Sequence, residues 1–180
     1  MTTQLHIKTV FTLAFVWLIY FTSLPVAFGQ TSNMELPKEK QTTLGLYVTA
    51  KEAYQKWKAN PEKVKILDVR IPDEYIYIGH AAMSWNIPVF FFMFEWNAEK
   101  LHFEMKVNPD FINLVKQVFK SDDIILVTCR SGSRSALAAN QMEAAGFKNV
   151  YNITDGFEGD TVDDAQSLYA GQRLKNGWKN

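Results

Sequence analysis

The unbroken Ile-Ile-Leu-Val run that begins the segment Ile124 to Thr128 is the feature that most restricts how this chain can fold. A strand of this composition is suited to burial on both faces, in the centre of a parallel sheet that helices cover. Shorter runs, Val64 to Asp68 and Val150 to Ile153, lie on either side of it along the chain and alternate with helical patterns. This alternation predicts an α/β domain with a mainly parallel sheet.

Three helices are predicted between these strands. The first runs from Thr49 to Asn60, because Thr49 and Glu52 have the spacing of a capping box. The second opens at Asn108-Pro109-Asp110, where a capping residue precedes a proline in the first turn. The third runs from about Ser133 to Ala145 and ends at Gly146. Weaker strands are predicted at Leu46 to Val48 and at Trp85 to Ile87.

Composition narrows the classes of function. The 19 basic and 19 acidic residues balance, so the chain lacks the basic excess typical of nucleic-acid binding, and no nucleic-acid partner is expected. Cys129 is the single cysteine, so no internal disulfide forms and any thiol chemistry depends on one sulfur. The histidines are scattered, which argues against a metal site: His6, His80 and His102.

Residues 1–29 have the pattern of an export signal. An apolar stretch from Val10 to Phe21 is followed by Ala27-x-Gly29, the spacing of a leader-peptidase site. Cleavage there leaves a chain that begins at Gln30, and the expected destination is the periplasm of a bacterium. The alternative is an uncleaved membrane anchor, because the uncharged run is long enough to span a bilayer.

The rest of the chain is predicted to be a linker over residues 30–44 and one domain over residues 45–180. Two insertions are expected in this domain, near residues 89–107 and 160–176. The first is rich in aromatic residues and is predicted to be extra core or a covering helix. The alternative is an exposed surface that contacts a partner or forms the rim of a substrate site.

The segment Cys129 to Ser135, directly after the strongest strand, is the candidate site. Ligands of parallel α/β sheets bind at the carboxyl ends of strands, where loop amides and a helix N-terminus favour an anion. A cysteine there, beside Arg130 and Arg134, is expected to have a lowered pKa and to react as a thiolate. The alternative is that Cys129 is only a buried core residue. The other residues expected in the anion cradle are Ser131, Gly132, Ser133 and Ser135.

Three motifs together resemble the rhodanese family, over roughly residues 44–160. The loop from Cys129 to Arg134 looks like the six-residue persulfide loop of its sulfurtransferases. Asp155-Gly156-Phe157 stands where the family has a Gly-rich turn. The early signature of the family is similar to Leu67-Asp68-Val69-Arg70, Asp73-Glu74-Tyr75, Gly79-His80 and Asn86-Ile87-Pro88.

The resemblance implies a five-stranded, mainly parallel sheet flanked by helices on both faces. It also implies a thiosulfate sulfurtransferase without a metal or organic cofactor. Cys129 takes sulfane sulfur from a small sulfur-containing anion and passes it, as a persulfide, to a thiol or a protein acceptor. The amides of residues 130–134 stabilise the persulfide, and Arg134 holds the anionic end of the donor, with Arg130 as a second candidate.

The same resemblance assigns a supporting pair and a structural histidine. Asp68 is expected to order the loop, and Arg70 is expected to form an ion pair with Glu74. Direct catalysis by Asp68 or Arg70 is the alternative. His80 is expected to be part of the scaffold.

Two other functions remain open from the sequence. Phosphatases related to this fold need one more residue between cysteine and arginine, and here Ser135 occupies the position where they require arginine. The shorter loop suits sulfur better than a tetrahedral phosphate. The second alternative is an exported persulfide carrier or partner-binding module with little turnover on free substrates.

Overall fold

The computed structural model describes residues 36–180. Nine strands and three α-helices follow one another in this part of the chain. Their bounds are β1 (Tyr47–Val48), α1 (Ala50–Ala59), β2 (Val64–Asp68), β3 (Ser84–Asn86), β4 (Phe90–Asn97), β5 (His102–Val107), α2 (Phe111–Val118), β6 (Ile124–Thr128), α3 (Ser133–Ala144), β7 (Val150–Ile153), β8 (Asp160–Thr161) and β9 (Arg173–Lys175).

The central sheet has five strands in the order β1-β7-β6-β2-β3, and every neighbouring pair is parallel. Strand β6 is the middle strand, as its apolar composition predicts. It pairs with β2 along its whole length, from Val64 beside Ile124 to Asp68 beside Thr128. Because β2 and β6 end side by side, the segments that follow Asp68 and Thr128 lie at the same edge of the sheet.

Helices cover both faces of this sheet, which confirms the predicted α/β class. Helices α2 and α3 pack on one face, where Phe111 and Met142 contact a cluster that includes Val127. Helix α1 packs on the other face, where Ala53 joins a cluster with Leu126. Successive residues of a strand point to opposite faces, so an unbroken apolar run serves both cores.

The predicted first helix is confirmed, and the predicted start of the second is wrong. The Thr49 hydroxyl accepts from the Glu52 amide at 3.2 Å, and the Glu52 carboxylate accepts from the Thr49 amide at 2.8 Å. Helix α2, however, begins only at Phe111. The Asn108 side chain accepts from the Asp110 amide and donates to the Pro88 carbonyl at 2.8 Å. Asn108 therefore ties this turn to the start of the aromatic insertion.

The aromatic insertion is an antiparallel β-hairpin, so the predicted covering helix is wrong. Strands β4 and β5 pair from Phe90 beside Val107 to Asn97 beside His102, with an irregularity between Phe92 and Trp96. Aromatic residues favour strands, and several of these side chains are exposed. Alternation of buried and exposed positions is interrupted by the bulge, which hides the period of two in the sequence.

The segment after the second insertion contacts the turn that follows β7 of the central sheet. Residues 160–176 contain the short hairpin β8–β9. After it, the Gly177 amide donates to the Asp155 carboxylate at 3.0 Å, and the Trp178 amide donates to the Gly156 carbonyl at 3.0 Å. The closing segment thus holds the turn that follows β7.

The described part of the predicted linker lies on α3. The Thr43 amide and hydroxyl donate to the Asn140 side chain, and the Lys40 carbonyl accepts from Asn152. Among residues 36–180, no helix is both long and apolar enough to cross a bilayer. The predicted leader or anchor lies outside the described residues, and export stays a prediction.

We expect Gly156→Ala to destabilise the fold more than Gly45→Ala. Both glycines have φ of +63°, so alanine meets the same backbone penalty, about 1 kcal/mol, at either position. A Cβ at Gly45 meets open space, whereas a Cβ at Gly156 falls 2.7 Å from the carbonyl oxygens of Cys129 and Arg130. The clash should cost about 1–3 kcal/mol more in the free energy of unfolding, measured by urea denaturation. Equal losses in the two variants would contradict the close backbone contact.

Candidate active site

The loop from Cys129 to Gly132 connects the end of β6 to the start of α3, as the sequence predicts. Gly132 has φ of +103°, and a Cβ there would lie 2.3 Å from the Thr154 carbonyl oxygen. Only glycine fits this position without moving the backbone. The Gly132 carbonyl also accepts from the Asn152 side chain at 3.0 Å. Strand β7 and the residue after it therefore hold the loop in place.

The sulfur of Cys129 lies beneath this loop, with 1% of the residue exposed. The Gly132 amide donates to Sγ at 3.1 Å, and the Ser135 hydroxyl oxygen lies 3.4 Å from Sγ. Ser135 is fully buried, and its hydroxyl donates to Asn152 Oδ1 at 2.6 Å. Because that carbonyl oxygen can only accept, the hydroxyl proton is directed to Asn152. The same hydroxyl is also within reach to donate this proton to Sγ instead.

Asn152 is a residue of the candidate site that the sequence reasoning missed. Its side chain is fully buried and joins Gly132, Ser135 and the Lys40 carbonyl. A single asparagine inside the Val-Tyr-Asn-Ile run of β7 was the available signal. Buried amides need partners, so a polar residue in a core strand points to a network around it.

Arg134 is held by Glu74 rather than left free for a ligand. Its Nη1 and Nη2 donate to the two carboxylate oxygens of Glu74, each at 2.6 Å. The two side chains are 18% and 16% exposed. The predicted ion pair between Arg70 and Glu74 is therefore wrong, and the Glu74 carboxylate belongs to Arg134.

This pairing shifts both pKa values. Burial alone would raise the pKa of Glu74, but the hydrogen bonds and charge of Arg134 outweigh burial and hold that pKa below its ordinary value of 4.5. Burial alone would lower the pKa of Arg134, but Glu74 outweighs burial and raises that pKa above its ordinary range. The pair is therefore ionised on both sides near neutral pH.

Asp68 and Arg70 form a second, fully buried pair. Arg70 Nη2 donates to Asp68 Oδ2 at 2.6 Å and to the Gly79 carbonyl at 2.7 Å. The guanidinium also lies over the Phe157 ring, 4.1 Å from its centroid. These contacts tie the end of β2 to the segment around Gly79. These contacts are structural, and the ordering of the loop after Cys129 by Asp68 stays a prediction.

The predicted scaffold role of His80 fits its surroundings. Its Nδ1 lies 2.9 Å from the Tyr75 carbonyl oxygen, and its ring stacks on the Tyr75 ring with centroids 3.7 Å apart. The histidine therefore closes the same segment that Arg70 anchors. Among residues 36–180, no group of three or more metal-ligating side chains is placed to hold a metal ion.

Arg130 and the loop face an open cleft of about 580 Å³. The Arg130 side chain is exposed and has no hydrogen bond or ion pair within residues 36–180. Ser133 and Arg134 line the cleft beside it. The opposite wall comes from the β4–β5 hairpin, with Phe92, Trp96, His102, Phe103 and Met105. Sequence reasoning offered this hairpin as a substrate rim only as an alternative.

We predict that Glu74→Gln removes a pH-dependent part of the stability. Because the folded-state pKa of Glu74 is lowered, its contribution is present above about pH 4.5 and is lost as pH falls through the folded pKa. The variant should lose about 2 kcal/mol of unfolding free energy at pH 7, between the values for exposed and buried pairs. The difference from the unmodified protein should shrink below pH 4.5, measured by urea denaturation. A difference that stays constant into strong acid would argue against this pairing.

Known proteins are similar to this chain in sequence or in fold. "Thiosulfate sulfurtransferase 16, chloroplastic" of Arabidopsis thaliana is 36% identical over 93 residues, which are 52% of this chain and 70% of that protein. The "Senescence-associated protein DIN1" of Raphanus sativus is 36% identical over 93 residues, and the match spans only 46% of its length. The crystal structure of Rv0390 from M. tuberculosis has a TM-score of 0.55 and 25% identity, covering 73% of this chain and 89% of that one.

The match to a family of domains covers more of this chain than the two sequence relatives do. Residues 49–161 fit the model of the Rhodanese-like domain, which is more than half of the chain. They include the Asp68–Arg70 pair, the Glu74–Arg134 pair and the loop after Cys129. The chain therefore belongs to the rhodanese-like domain family.

Proposed function

We propose that this protein is a sulfurtransferase that works through a persulfide on Cys129. The observation that carries the proposal is the position of Sγ, at the carboxyl end of β6 and 3.1 Å from the Gly132 amide that donates to it. Amide donors and a helix N-terminus stabilise negative charge on sulfur. Membership of the rhodanese-like family and the likeness to a plant thiosulfate sulfurtransferase support the same reaction.

The reaction needs no oxidant. The Cys129 thiolate attacks the outer sulfur of thiosulfate, the sulfur–sulfur bond of the donor breaks, and sulfite leaves with the electron pair. An acceptor thiolate then attacks the outer sulfur of the persulfide. Cys129 departs as a thiolate and is ready for another cycle.

We assign the anionic end of the donor to Arg130 rather than to Arg134. Arg130 lines the cleft with its guanidinium donors unused by residues 36–180. The forked donors of Arg134 already bind Glu74, so its charge is compensated. Arginine forks match oxyanions well, which makes Arg130 the better partner for thiosulfate. Arg134 and Glu74 then position the start of α3.

The test is the mass of the protein after incubation with thiosulfate. We expect a gain of one sulfur atom, located on Cys129 by peptide mapping, together with release of one sulfite per chain. Cys129→Ser should show neither change, while its unfolding curve checks that the fold is kept. An unchanged mass with thiosulfate and with other sulfane-sulfur donors would rule out the proposal.

A persulfide carrier is the second candidate, and the exposed aromatic side chains of the β4–β5 hairpin favour it. Phe94 is 77% exposed and Trp96 is 55% exposed, and exposed apolar patches mark surfaces that contact a partner. For a carrier, we expect stoichiometric loading by thiosulfate but little turnover with small acceptors such as cyanide or dithiothreitol. Steady-state kinetics with a panel of acceptors decides between the two. Rapid turnover with several small acceptors would support the sulfurtransferase and rule out the carrier function.

A further inference from the structure

The β4–β5 hairpin presents an aromatic wall to the active-site loop. Phe103 lies at the centre of this wall, with its ring centroid 5.1 Å from those of both Phe92 and Trp96. Met105 pairs with Phe92 across the strands and extends the wall. All four side chains line the cleft that contains Arg130. The wall and the loop residues Arg130, Ser133 and Arg134 therefore line one cleft, and the buried Cys129 precedes these loop residues in the chain.

Much of this apolar surface is unpartnered. Trp96 is 55% exposed and Phe103 is 44% exposed. Large aromatic side chains left open in a concave site gain free energy when a ligand covers them. The cleft is open to solvent and has a volume of about 580 Å³, which is more room than thiosulfate needs. A ligand larger than the inorganic donor therefore has space beside these rings.

The charges in the cleft indicate a ligand with one acidic group. Glu74 compensates Arg134, and the Arg130 guanidinium has no partner within residues 36–180. Glu158 also lines the cleft, and it forms no ion pair with Arg130 within the described chain. A single carboxylate or sulfonate can pair with Arg130, whereas a second acidic group would meet Glu158 at a cost.

We propose that this cleft binds the sulfur acceptor, an organic thiol with a ring-sized apolar body and one acidic group. The apolar body lies against Trp96 and Phe103, and the acidic group pairs with Arg130. The acceptor thiolate attacks the outer persulfide sulfur, a new sulfur–sulfur bond forms, and the bond to Cys129 breaks with its electrons staying on Cys129. This inference rests on the proposed sulfurtransferase function and assigns its acceptor.

The experiment starts from protein already loaded with sulfur, with the persulfide content determined by mass. Single-turnover rates are measured for para-carboxybenzyl mercaptan and for β-mercaptopropionate, which are both alkyl thiols with one carboxylate. We expect para-carboxybenzyl mercaptan, the thiol that contains a ring, to react faster than β-mercaptopropionate. Trp96→Ala should reduce the ratio of the two rates about fivefold to tenfold, because roughly half of a ring face loses its apolar contact. Comparing ratios removes the intrinsic reactivity of each thiol.

Phe91→Ala is the matched control. Phe91 lies on the same strand, is 43% exposed, and is absent from the lining of the cleft. The ratio in this variant should equal that of the unmodified protein. Trp96 is more than half exposed, so its replacement should leave the fold intact, which the unfolding curve checks.

The outcomes separate the two proposals. If Cys129 loads but the ratio is the same with and without Trp96, the acceptor inference is wrong while the sulfurtransferase stands. If Phe91→Ala lowers the ratio as much as Trp96→Ala, the effect does not come from contact between Trp96 and the acceptor, and the inference is again wrong. If no donor loads Cys129, both proposals fall together. Preference for a protein acceptor over both thiols would also overturn the inference and support the carrier.

Discussion

The position of the Cys129 sulfur depends on a close approach between two backbone segments. The Phe157 amide donates to the Cys129 carbonyl at 2.7 Å, and the Glu158 amide donates to the Arg130 carbonyl at 2.9 Å. Gly156 lets these segments meet, because any side chain there would strike the same carbonyls. Main-chain hydrogen bonds therefore set the path of the loop. This leaves the loop side chains free to line the cleft.

Two arginine–carboxylate pairs hold the segments around the loop in place. The fully buried Asp68–Arg70 pair fixes the segment that follows β2, and the partly buried Glu74–Arg134 pair joins that segment to α3. Burying two charges is costly unless both are paired and hydrogen-bonded, and both conditions are met here. As a result, Asp68 and Glu74 are paired with other arginines, and the guanidinium donors of Arg130 are unused within residues 36–180. The shape of the cleft then comes from the hairpin, which supplies apolar surface opposite this charge.

Local patterns in the sequence predict most of the central sheet and the site loop. The bounds of β2, β6 and β7 agree with the apolar runs, and the capping box of α1 is present as its spacing indicates. The strands of the aromatic insertion are not predicted by the sequence pattern, because the bulge near Phe94 breaks the alternation that identifies a strand. The predicted start of α2 at Asn108 is wrong by one turn, because the Asn108 side chain caps the turn before Phe111 with its oxygen and reaches Pro88 with its nitrogen.

By itself, the sequence determined the α/β class, the strand that precedes Cys129 and the small-residue loop that begins there, because each depends on neighbouring residues. Only the tertiary structure decided which arginine is paired with a carboxylate, Arg134, and which has no such partner among residues 36–180, Arg130. Glu74 lies 60 residues from Arg134 in the chain, and no local pattern shows that they meet. The same holds for Asn152 beneath the loop and for the aromatic wall across the cleft. Contacts between distant segments follow from how the sheet brings its edges together, which periodicity and spacing do not encode.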